Sequence, residues 1–135
     1  MALAATIGVA GPSLALSTAP AGAATSVRVL TCGGVPKKQP AGYVLSCADA
    51  NSKLSGMTWT AWGPQQAVGR GVLVCDSCQP SCAAGSPVRR SAAVRLTTVR
   101  RSTAYGNLFT RAVVVVTKPV NGAYRITFTL PTKQL

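Results

Sequence analysis

From Tyr124 to Leu130 the chain alternates without a break. Tyr124, Ile126, Phe128 and Leu130 fall on one side, and Arg125, Thr127 and Thr129 on the other. That is the pattern of a strand with one face buried. Asn121-Gly122 precede it and suit the left-handed positions of a tight hairpin turn. Across that turn, Arg111 to Thr117 holds the consecutive valines Val113 to Val116, which predict a central strand apolar on both faces. Pro119 follows, where a ladder donor is no longer needed. Val88 to Val99 is a further alternating segment, with Val94 and Leu96 on one face and Arg95, Thr97 and Val99 on the other. Ser26–Thr31, Tyr43–Cys47, Met57–Trp62 and Gly71–Cys75 are shorter candidates. About seven strands, divided by Gly, Pro, Asn and Ser turns and with no segment of helical period, predict an all-β fold. The expected form is a small disulfide-stabilised β-sandwich or barrel. Trp59 and Trp62 differ in strand parity, so on a regular strand one packs in the core and the other covers the turn at Gly63-Pro64. The functional alternative is an exposed aromatic platform for a sugar or ring ligand.

The first two dozen residues read as an address. Met1 to Ala24 carries no charge and ends in small residues, and Ala21-Gly22-Ala23 fits a signal-peptidase site. Ala19-Pro20-Ala21 fits less well. The expectation is a signal peptide over 1–23 and a secreted all-β domain over 24–135. Signal peptides open with Lys or Arg, whereas the first basic residue here is Arg28, so the leader reads as truncated at its N-terminus. Gly11-Pro12 and Pro20 interrupt the run and argue against a membrane anchor. Val29-Leu30-Thr31 before Cys32 lacks the small residue a lipid-modified Cys follows. A mature chain of about 112 residues buries roughly two-thirds of its unfolded surface, enough for a modest core.

Composition then removes chemistry. The 135 residues hold fourteen Lys and Arg, two acids and no His, for a net charge of +12. Without His there is no Ser-His-Asp or Cys-His unit and no imidazole metal ligand. The acids are Asp49 and Asp76, too few for an EF-hand. No G-x-S-x-G, S-x-x-K, Walker or dinucleotide motif occurs. Asp49 and Asn51 suit an Asx turn rather than a calcium ion. No enzyme, cofactor or metal site is predicted.

Cys32, Cys47, Cys75, Cys78 and Cys82 belong to a chain expected to be exported, where disulfides are the default. An odd number leaves at least one unpaired within the chain. Cys75-Asp76-Ser77-Cys78 is a C-x-x-C, but Gln79-Pro80-Ser81-Cys82 reads as a loop, not the helix start of a redox pair. A thiolate metal site would need Cys47 or Cys32 as its fourth ligand. Several of these residues sit in a wider pattern: Cys32; Cys47-Ala48-Asp49; Trp59-Thr60-Ala61-Trp62-Gly63; and Cys78-Gln79-Pro80-Ser81-Cys82-Ala83-Ala84-Gly85. From Cys32 to Leu130 the chain resembles a group of small, mostly uncharacterised secreted proteins of actinobacteria with early-Cys, C-x-D, W-x-x-W-G and C-x-P-x-C-A-x-G motifs. The resemblance implies secretion and an all-β fold, with no established activity. Its four matching cysteines allow three connectivities, of which Cys32–Cys47 with Cys78–Cys82 is favoured. Cys75 departs from the pattern and is the candidate free thiol.

The basic excess also departs from the pattern. Arg89, Arg90, Arg95, Arg100, Arg101 and Arg111 crowd one stretch. Regular alternation gives Arg89, Arg95 and Arg101 the outward parity, while Arg90 and Arg100 share that of Val94 and Leu96. Such a charge attracts polyanions at low salt. Two functions follow. One is a secreted, non-catalytic structural or interaction protein of the cell exterior, its charge serving solubility. The other is a cationic binder of anionic wall polymers, membranes or extracellular nucleic acid, acting through Arg89, Arg95 and Arg101. No nucleic-acid-reading motif is present, so no specific nucleic acid is expected.

Overall fold

A computed structural model describes residues 26–48, 50–77 and 85–134. The leader over 1–23, Asp49, Cys78 and Cys82 lie outside these residues. The described chain is all-β. Its strands are β1 (Val27–Leu30), β2 (Pro36–Lys37), β3 (Tyr43–Val44), β4 (Ser52–Trp62), β5 (Ala67–Asp76), β6 (Pro87–Ser102), β7 (Gly106–Val120) and β8 (Ala123–Thr129). The pairing order is β2-β1-β7-β6-β5-β4-β3, with β8 on β7. All pairs are antiparallel except β1 with β7, so the sheet is mixed. β1 and β8 share one edge of β7, β1 at Asn107–Leu108 and β8 from Arg111 onward. Every strand predicted above is present, and β2 is added. The sheet curls into a half-barrel. Leu45 to Ala48, just past β3, and Thr127 to Pro131, at the end of β8, face each other across one groove of about 490 Å³.

The core lies inside the curl. Val94 and Leu96 of β6 oppose Val114 and Ala112 of β7, and all four are at most 2 % exposed. The β7–β8 hairpin turns on Asn121 (φ 48°) and Gly122 (φ 85°), both left-handed as a two-residue primed turn requires. Ile126, Phe128 and Leu130 face inward as expected. Tyr124 does not: the β7–β8 register shifts between Val115 and Val120, leaving Tyr124 without a cross-strand partner and 58 % exposed. The valine run is central in the pairing, but apolar burial on both faces is not found. Val114 and Val116 are buried, Val113 is half-buried and Val115 is 45 % exposed. No strand among the described residues covers the outer face.

The tryptophans depart from strict alternation. The β4–β5 register slips between Ser55 and Thr58, and again between Trp59 and Ala61. Gly56 (φ 59°) sits in the first slip, in the left-handed conformation that suits a bulge. Each slip restores parity to the core, so Leu54, Met57, Trp59 and Trp62 all pack on it. Trp59 and Trp62 meet edge to face at 5.0 Å, and Trp62 meets Phe109 at 5.5 Å. Their indole N–H groups donate to the carbonyls of Pro40 at 2.9 Å and Val27 at 2.7 Å. Both are half-buried core anchors, and neither is a platform.

Cys32 and Cys47 form a disulfide across a separation of 15 residues, a loop whose closure is worth about 3 kcal/mol. It ties the turn after β1 to the segment after β3. Beside it Tyr43 donates its hydroxyl to the Leu30 carbonyl at 2.7 Å. Cys75 carries no disulfide and is buried. Burial pushes its thiol up, partly offset by the Arg90 guanidinium and reinforced by Asp76.

Candidate anion-binding face

The outer face takes the residues that alternation turns away from the core. Register places them in rows across the strands. Arg70 of β5 opposes Ala93 of β6, Ala93 opposes Val115 of β7, and Val115 opposes Arg125 of β8. The next row runs Val68, Arg95, Val113 and Thr127. A third runs Thr97, Arg111 and Thr129. Arg70, Arg95, Arg111 and Arg125 are all exposed. Arg70 and Arg125 stand three strand spacings apart, about 14 Å. Arg95 and Arg111 are diagonal neighbours, about 7–8 Å apart. The latter distance is within the ~8 Å Debye length of physiological salt, so these charges act on a ligand together.

Three shallow grooves cross this face. One, of about 400 Å³, has Val68, Ala93, Val113 and Val115 in its floor and Arg95, Arg111 and Arg125 at its sides. A second, of about 550 Å³, brings in Arg70. A third, of about 530 Å³, is lined by Thr98, Arg100, Thr110, Arg111, Thr127 and Thr129, with Leu130 and Thr132 at its end. Among the described residues no carboxylate lines any of them. Asp76 sits at the far end of β5, six residues and about 20 Å along the strand from Arg70.

The arginines of β6 are arranged differently from a single line along the strand. Thr98 has φ 58°, which breaks the alternation. Beyond it Val99 packs on the core, so Arg100 takes the outward parity and Arg101 that of Val99. Arg89 lies opposite Val74, about 20 Å along β6 from Arg95. Arg90 is half-buried, opposite Leu73, with its Nη1 donating to the Arg89 carbonyl at 3.1 Å. Of Arg89, Arg95 and Arg101, only Arg95 joins the cluster. Its partners Arg70 and Arg125 come from strands that the pattern along β6 does not mention. Arg125 was already legible as outward, but its proximity to Arg95 depends on strand order.

Searches against protein-family models, curated proteins and solved structures find no match for the chain.

Proposed function

We propose that the chain is an exported, non-catalytic domain that binds anionic polymers at the cell exterior through its outer face. The observation that carries this reading is the cluster of Arg70, Arg95, Arg111 and Arg125 on four adjacent strands, with no carboxylate among the described residues that line the grooves they border. Export is supported by the uncharged, small-residue lead and by the Cys32–Cys47 bridge, which suits an oxidising compartment. Absence of catalysis is supported by a composition without His and with only two acids, which supplies no imidazole for acid–base work and few carboxylates.

The test is retention on immobilised heparin in a salt gradient. Changing Arg95, Arg111 and Arg125 to Ser removes three charges from the face. Changing Lys37, Lys38 and Lys133 to Ser removes three elsewhere. The parent should show a slope of log K against log salt of about −3, expected for four contacts on a flexible chain. The arginine variant should fall to about −1, and the lysine variant should keep the parent slope. If both variants elute together, net charge alone governs retention and the face is no site.

A further inference from the structure

Arg111 borders two grooves of unlike character. On one side lie Val68, Ala93, Val113 and Val115. On the other lie Thr98, Thr110, Thr127, Thr129 and Thr132, with Arg100 among them. Resting on the polyanion reading, we infer that the polymer is a polyol or sugar phosphodiester: a chain whose anionic groups alternate with neutral, hydroxyl-bearing carbon units.

The charges on this track are interrupted. Between Arg100 and Arg111 the groove offers hydroxyl groups, and beside Arg95, Arg111 and Arg125 it offers aliphatic surface. A chain that is charged throughout would leave both intervals unused. Hydroxylated units between phosphates meet them. Each Thr hydroxyl can donate one hydrogen bond and accept two. Thr127, Thr129 and Thr132 are exposed and make no side-chain hydrogen bond among the described residues. Thr110 is already committed through its donation to the Thr98 carbonyl at 2.7 Å, which fixes the groove floor. The C–H faces of the polyol units lie against Val113 and Val115, while the phosphates pair with Arg95, Arg100 and Arg111 by charge-assisted hydrogen bonds.

Nucleic acid fits less well. Proteins that hold single strands stack the bases on aromatic side chains. Neither groove is lined by an aromatic residue among those described. Trp59, Trp62 and Phe109 are packed against one another on the core side. Thr98 adds a second mark of a site. It is a β-branched residue held left-handed within the Thr–Arg groove, the kind of local strain that clusters where a ligand is held.

The experiment compares three probes on the full chain at about 0.1 M salt: poly(glycerol phosphate), inorganic polyphosphate and poly(dT), matched in charge. The key variant is Thr127→Val with Thr129→Val, which keeps shape and strand preference and removes two hydroxyls; thermal melting confirms that it folds. Parent affinity should be highest for poly(glycerol phosphate). The double variant should lose about tenfold on that polymer, in line with two hydrogen bonds, and stay within about twofold on polyphosphate. Equal losses on the two polymers, no loss on either, or poly(dT) binding as tightly as poly(glycerol phosphate) would each overturn the inference. Arg111→Ser separates the two levels: it should weaken all three probes, and if it weakens none, the arginine face itself is not the binding surface.

Discussion

Replacing Gly69 with Ala adds one methyl group at a point without room for it. The new Cβ would stand 2.6 Å from Trp59 Cε3, 2.9 Å from its Cδ2 and 2.8 Å from the Thr58 carbonyl oxygen. Neither neighbour yields readily. The Thr58 oxygen is strand backbone. Trp59 is pinned by its hydrogen bond to the Pro40 carbonyl and by its edge contact with Trp62, which is itself fixed by Val27 and Phe109. Overpacking of this kind costs about 1–3 kcal/mol. Restricting the unfolded chain returns about 0.4–1 kcal/mol. The net loss is about 1–2 kcal/mol, or about 4–9 °C in melting temperature for a domain of this size. Thermal unfolding followed by far-UV circular dichroism reads it. In a Trp59→Val background the two ring contacts are gone while the contact with the Thr58 oxygen remains, so the Gly69→Ala penalty should shrink by roughly half, a coupling a double-mutant cycle isolates. If Gly69→Ala melts within about a degree of the parent, or costs the same in both backgrounds, the Trp59 ring is not what keeps glycine there.

Two further outcomes follow from the fold. Burial holds the Tyr43 phenol well above its ordinary value of 10.0. Above that pH the unfolded chain loses a proton that the fold keeps. The Tyr43 contribution is therefore intact below pH 10 and falls by about 1.4 kcal/mol per pH unit as pH rises toward the folded value. Tyr43→Phe should flatten that alkaline slope in denaturant melts, and an unchanged slope would assign it to other groups. Thr98 holds a left-handed conformation with an exposed side chain. Thr98→Asn, which tolerates that region better, should raise stability by about 1 kcal/mol, while a loss of stability would show that the Thr side chain, not the backbone, decides the position.

How much was legible in the sequence follows from the range over which each signal acts. Alternation is local, and it located all seven expected strands, the Asn121-Gly122 turn and the inward Ile126, Phe128 and Leu130. It failed wherever the backbone slipped. The bulges beside Gly56 and between Trp59 and Ala61 turn both tryptophans inward, although their parity differs. Gly56 was the visible sign of the first bulge; the second has no such residue. Thr98 carries no marker either, because Thr is a strand former and nothing in its type predicts φ 58°. Its consequence is large, since the outward positions of β6 change parity there. The arginine cluster was the least legible part. Arg70, Arg95, Arg111 and Arg125 come from four strands, and only strand order and register bring them together. The valine run shows a related limit. Four β-branched apolar residues signal a strand, but they do not report whether a second layer covers both faces.

The cluster costs the fold little, and that bears on what it is for. Two guanidinium groups about 8 Å apart in water repel by about 0.5 kcal/mol, and screening at physiological salt leaves about a third of that. The arginines rest on hydrogen-bonded strands, so holding them there orders no loop when a ligand arrives. Under the proposed function a flexible polyanion would meet four charges at once, and with a slope of about −3 a tenfold rise in salt would weaken its binding by about a thousandfold. The same rise relieves the mutual repulsion by only tenths of a kcal/mol. Salt should therefore act strongly on such binding and little on stability through these four charges. A basic excess that served solubility alone would need no particular strand order. Its effect on retention would scale with the number of charges removed, wherever they stood. A face built by register makes the loss depend on which charges are removed. Arg89 and Arg101 flank Arg95 at equal distance in the sequence, yet they should matter less to retention than Arg70 and Arg125, which reach Arg95 only through the folded sheet.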